Sequence, residues 1–212
     1  MQFSLPFIDI IIFAIIAVFL IYRLKNILGE KTGYDPADDE RKKYKQEKNV
    51  SNVIDLVKNK KANTINEKIA LIINLDNNFS PNEFLDGAKI FFGMVVKSFV
   101  DGNLEDIKNY VKSTLIDNFQ TAISERLKEK ETLIIDIIKI QNTEIKDVSI
   151  RDSVVNIQVL FESKQIKALK DKNNKVIDGN MKKEILVRDL WKFERDIKSS
   201  DKNWTLIETT VA

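Results

Sequence analysis

The residues available for chemistry are few in kind. The 212-residue chain has no cysteine and no histidine, which excludes disulfides, thiol nucleophiles, thiolate or imidazole metal sites and any Ser-His-Asp triad. Carboxylates, Lys, Tyr, Ser and Thr are what remains. One carboxylate stands out by its place. Over Glu184–Asp196 the alternate positions Ile185, Val187, Asp189, Trp191 and Phe193 form the inner row of a strand, and Asp189 interrupts it. Burying an unpaired carboxylate is costly. Asp189 is therefore either one half of a structural ion pair, held by a Lys, an Arg or a backbone amide, or a group in a pocket that reaches water. No metal-ligand cluster, Gly-rich phosphate loop or internal repeat accompanies it, and no cofactor is expected.

The elements that must hold Asp189 follow from periodicity. Ile65, Ile69, Ile72, Ile73 and Leu75 fit an amphipathic helix, which either begins the packed domain or lies on a membrane or a partner. Ser80-Pro81-Asn82-Glu83 is a strong helix start: Ser80 caps, Pro81 fits the first helical position and Glu83 can return to the cap amide. Phe84, Ala88, Phe91, Phe92, Val95, Val96 and Phe99 then share one face, and Gly102 ends the helix. Asn103 is expected to cap a short helix through about Tyr110, and Ser113 or Thr114 to open another that ends in the charged Glu125–Glu131. From there the period changes. Leu133–Ile140 and Ile145–Ile150 read as two strands. Val155, Ile157, Val159 and Phe161 alternate cleanly, and the shift of apolar parity to Ile166 and Ala168 suggests a bulge near Ser163. Asp171–Asn180 has the composition of a hairpin tip. A last strand carries Trp204 and Leu206. Helices followed by an antiparallel meander predict an α+β domain, with the helices on one face of the sheet.

Ahead of that domain, Leu5–Tyr22 is almost unbroken hydrocarbon and is closed by Arg23 and Lys25. A bilayer core of about 30 Å needs roughly 20 apolar residues in a helix. The competing readings are a buried core helix, which would need neighbours able to cover all its faces, and a cleaved signal peptide, which would need a basic start and a small-x-small cleavage site. The span is read as a single uncleaved anchor. No Lys or Arg precedes it, whereas Arg23, Lys25, Lys31, Arg41, Lys42 and Lys43 follow. The positive-inside rule then places the N-terminus outside and the rest of the chain in the cytoplasm. Asp9 lies about one turn from the outer end, within reach of water. The organisation expected is an anchor at 1–25, a polar linker at 26–79 holding the amphipathic helix near 65–75, and the α+β domain at 80–212. The linker, with its mixed charge run Asp38–Lys48, is a solvated tether or a docking segment. The formal charge is +2, from 34 basic and 32 acidic residues, so there is no basic excess of the kind that nucleic-acid binding rests on.

The stretches Asn74–Lys89, Asp101–Ile107, Arg188–Asp196 and Asn203–Leu206, taken in order with the N-terminal span and the R-L-x-x-x-L-G-x-x-T-G stretch Arg23–Gly33, resemble the Tim forty-four-like domain family and, within it, bacterial TimA-type proteins. That resemblance implies a cone-like fold of the nuclear transport factor two kind, with helices packed on a curved antiparallel sheet. It implies a non-enzymatic adaptor or scaffold at a bacterial inner membrane, serving protein translocation, chaperone recruitment or membrane-protein assembly. The implied partners are the lipid bilayer and a translocase, chaperone or ribosome component; lipid binding and ribosome tethering are the alternatives. The mitochondrial relative has a long N-terminal region that contacts chaperone and channel, for which this chain offers only Leu24–Phe79. The cone is the default place for a ligand, and Phe91, Phe92, Val95, Phe161, Asp189, Trp191 and Phe193 are the candidate pocket residues, against the plain reading that the apolar ones fill the core. Cone-fold relatives include isomerases and dehydratases; Asp189 with Tyr110 would be the acid–base pair of such an enzyme.

Overall fold

The computed structural model describes residues 64–212. The span Leu5–Tyr22 and the linker as far as residue 63 lie outside the described residues. Three α-helices, α1 (Ile65–Leu75), α2 (Pro81–Asp101) and α3 (Ser113–Lys128), precede five strands: β1 (Thr132–Arg151), β2 (Val154–Lys170), β3 (Val176–Gly179), β4 (Ile185–Asp196) and β5 (Thr205–Val211). The sheet is antiparallel, in the order β1-β2-β4-β5, with β3 added to the far end of β2. This is the expected α+β order. Among the described residues no helix is long and apolar enough to cross a membrane.

The helices start and stop where local chemistry dictates. Thr64 and Glu67 form a reciprocal capping box at α1. At α2 only the first half forms: the Glu83 N–H donates to Ser80 Oγ at 3.4 Å, with Pro81 in the first turn. Gly102 ends α2 in the left-handed region, at φ 74°. A Cβ there would lie 3.3 Å from Ile123 Cγ2. Gly102→Ala is therefore expected to cost about 1–2 kcal/mol, read as a lower midpoint in thermal unfolding followed by circular dichroism.

The open question about Ile65–Leu75 has a structural answer. Ile72 is fully buried and Ile65 and Ile69 pack against the same core, so the packed unit reaches N-terminally past Ser80. Three local expectations are corrected. Asn103 starts no helix: its Oδ1 accepts from the Glu105 N–H two residues on, a turn, and only the 3-10 segment Lys108–Tyr110 follows. Leu104 and Ile107 are pulled into the core, and that burial competes with a regular helix. Leu133–Ile140 and Ile145–Ile150 are one strand, β1, carried through three register shifts; each absorbs an extra residue without ending the ladder. The bulge expected near Ser163 is not in β2, which pairs with β4 without a break from Val154 to Gln165. It is in β1 opposite, between Ile140 and Asn142. The proposed hairpin tip also contains a short strand, β3, which composition alone did not mark.

Candidate functional site

Directly opposed residues of an antiparallel pair share a face. The face of the sheet toward the helices is laid down by Val155, Ile157, Val159, Phe161, Ser163 and Gln165 of β2 and by Val187, Asp189, Trp191, Phe193 and Arg195 of β4. Along it lie an ion-pair clasp, an aromatic middle and a polar end.

At the clasp, Arg195 pairs with Asp76, the residue that ends α1, and the two side chains are 8% and 9% exposed. Arg195 Nη1 donates to the Lys202 carbonyl at 3.4 Å, and the guanidinium lies 4.8 Å from the centre of the Trp204 ring. Trp204 in turn packs on Phe84 at 4.8 Å and on Phe79 at 5.9 Å. Asp76, Arg195 and Trp204 come from three of the four sequence stretches singled out above, so their distant positions meet at one structural contact.

In the middle, Phe92 stacks on Phe161 at 4.7 Å and 18° and meets Trp191 at 4.8 Å. Phe161 and Trp191 are themselves 5.4 Å apart. Phe92, Val95, Phe161, Trp191 and Phe193 are all buried. Phe91, half-buried, sets its ring against Phe193 at 6.4 Å and Tyr110 at 6.2 Å. The structure thus joins the six apolar candidates in one packed region between α2 and the sheet. Burial of each large side chain contributes about 1.5–3 kcal/mol, which makes this cluster the main attachment of helix to sheet.

The polar end begins where the apolar row stops. In the ladder, Phe161 is flanked by Thr143 of β1 and Asp189 of β4. Beyond it, Gln165 Nε2 donates to Ser163 Oγ at 2.7 Å, with both side chains buried. This pair explains the misread parity: the inner row turns polar at Ser163 and Gln165, and the strand itself does not flip. Thr143 Oγ1 is buried without a hydrogen-bond partner. Asp189 is half-buried, and no hydrogen bond from the described residues reaches its carboxylate. Burial pushes its pKa up from the usual 3.8 to about 6, and the Lys167 charge opposes the rise. Val211, its neighbour on β5, is 37% exposed, so this end of the face reaches solvent.

Such an end can accept hydrogen bonds from an amide, a hydroxyl or an ammonium group. Acid–base work would need a second group in reach. Tyr110 is exposed and touches Phe91; Phe193, the next ring inward, is about 13 Å of strand away from Asp189, and no hydrogen bond joins Tyr110 to Asp189 among the described residues. The described residues also hold no cluster of three or more metal-ligating side chains. Sequence reasoning found Asp189 but missed Arg195, Ser163, Gln165 and Thr143. The period of two that marks Ile185 to Phe193 also passes through Arg195, so that residue was within reach of the same signal.

The model of a protein family, the Tim44-like domain, matches residues 65–211. No curated protein sequence matches the chain. Among solved structures, the intermembrane space region of the chloroplast protein ARC6 is similar at 10% identity and a TM-score of 0.44, over 63% of this chain and 97% of that one.

Proposed function

The chain belongs to the Tim44-like domain family, and from that premise we propose that it is a non-enzymatic, membrane-anchored adaptor whose domain offers the polar end of its helix-side sheet face to a partner protein. The family is typically associated with membranes and protein translocation, and its domain is generally non-catalytic. The observation that carries the reading is the state of Asp189. A half-buried carboxylate with a raised pKa stands beside an unpartnered Thr143 hydroxyl, next to exposed Val211. Buried polar groups are ordinarily satisfied, and a donor brought by a partner would satisfy these. A backbone amide, a hydroxyl or a Lys from an inserted segment has the right chemistry.

In this reading Leu5–Tyr22 is a single-pass anchor in a bacterial inner membrane, with the N-terminus outside and the domain cytoplasmic. The partner is a translocase, chaperone or ribosome component. The charge asymmetry around the span supports the orientation. Purification of the full chain in mild detergent is the test. The expected result is a second protein retained in constant ratio through size-exclusion chromatography, and lost with Thr143→Val/Asp189→Leu. A chain that always migrates alone contradicts the proposal. Retained lipid with no protein would replace it by a lipid-binding role.

A further inference from the structure

The sheet ends, at the turns on either side of β3, in a finger of unusual composition. Residues 171–183 carry four Lys (172, 175, 182 and 183) against two Asp, and all four Lys are exposed. The two acids are engaged locally. Asp171 accepts from the Asn173 and Lys175 N–H groups at 2.8 and 2.9 Å, and Asp178 accepts from the Gly179 N–H at 2.7 Å. Between the Lys lie three large apolar side chains turned to water: Val176 at 37%, Ile177 at 48% and Met181 at 39% exposure. One exposed apolar residue means nothing by itself. Three within six positions, framed by cations at the tip of a hairpin, need an occupant.

We propose that this finger is a lipid-contacting tip that dips into the headgroup region of an anionic bilayer. Charge complementarity selects the partner: exposed Lys are drawn to an anionic leaflet, while Val176, Ile177 and Met181 enter the boundary between headgroups and acyl chains as the apolar side of an interfacial segment does. Shape favours lipid over protein. Val176 and Ile177 are consecutive and both exposed, so the apolar surface wraps the finger. A fluid medium can surround such a tip, whereas a stable protein contact needs roughly 1,000 Å² or more of matched surface. The contact is separate from the polar end around Asp189.

The chain has no cysteine, which makes the test direct. Single variants Ile177→Cys and Met181→Cys, and Ser200→Cys in the loop at the opposite end of β4, are labelled with an environment-sensitive fluorophore. Each full-length chain is reconstituted into phosphatidylcholine vesicles, with or without phosphatidylglycerol, that contain a lipid-borne quencher. The expected result is blue-shifted emission and quenching at 177 and 181 only with phosphatidylglycerol, and none at 200. Lys172→Gln/Lys175→Gln/Lys182→Gln/Lys183→Gln, all exposed positions, should abolish both signals without changing the circular dichroism spectrum. Signals at 177 and 181 equal to that at 200 would overturn the inference, as would equal quenching in neutral vesicles. A tip that stays in water while the detergent complex survives would remove this inference and leave the adaptor reading standing.

Discussion

Arg195→Ala is expected to lower the unfolding free energy by about 3–5 kcal/mol, because removing one partner of a buried ion pair strands the other. Asp76 would be left nine-tenths buried at the end of α1 with its charge uncompensated. The same substitution removes the bond to the Lys202 carbonyl and the cation over Trp204, so α1 and the β4–β5 loop loosen together. Arg195→Lys should recover only part of the loss, since a point charge reproduces neither the planar fork nor the stacking. The paired change Asp76→Leu/Arg195→Met should recover most of it, as buried ion pairs replaced by apolar residues often do. Urea unfolding followed by circular dichroism measures all three. Arg188→Ala is the internal contrast. Its 2.8 Å bond to Glu162 lies on the outer face, where Arg188 is 57% exposed, and the loss there should stay under about 1 kcal/mol. A loss at Arg195 no larger than at Arg188 would show that the clasp is not a structural centre.

Asp189→Asn is expected to do the opposite and stabilise the chain by about 2 kcal/mol near pH 7. The sign follows from the direction of the shift. The folded-state pKa is raised from 3.8 to about 6, so between those values the folded chain binds more protons than the unfolded one. Stability attached to this group is fully present below pH 3.8, falls as pH rises through about 6, and is level above that. The Asn variant should lack that slope and converge with the parent at the acid end. Lys167→Met, which removes the opposing charge, should carry the fall to higher pH. Urea midpoints across the window measure it. An Asn variant that is less stable above pH 6 would mean the carboxylate is satisfied in the folded chain, against the picture drawn from its raised pKa. A carboxylate kept at a cost to stability fits a binding role better than a packing role.

The fold was legible wherever one period ran unbroken. Phe84 to Phe99 at helical spacing gave α2, and Val155 to Phe161 at spacing two gave β2. Legibility failed where tertiary packing overrode local pattern. Leu104 and Ile107 look like helix positions after an Asn cap, yet both are drawn into the core from a turn. The three register shifts of β1 are set by what lies opposite on β2, which no local window contains. At the site, Asp189 was visible because it breaks an apolar row. Ser163 and Gln165 were not, because a buried Ser–Gln pair looks in sequence like the solvent side of a strand. Arg195 was passed over for the same reason, although its partner Asp76 lies in a stretch already singled out.

The adaptor claim is tested most directly by photo-crosslinking in cells. A photoreactive residue is placed in the full chain at Val211, opposite Asp189, and at Ile140, opposite Ser163, and the adducts are identified by mass spectrometry. The account predicts the same protein adduct from both positions, and its loss when Thr143→Val/Asp189→Leu is added to an otherwise folded chain. Adducts to lipid alone, or protein adducts indifferent to that double substitution, would contradict it.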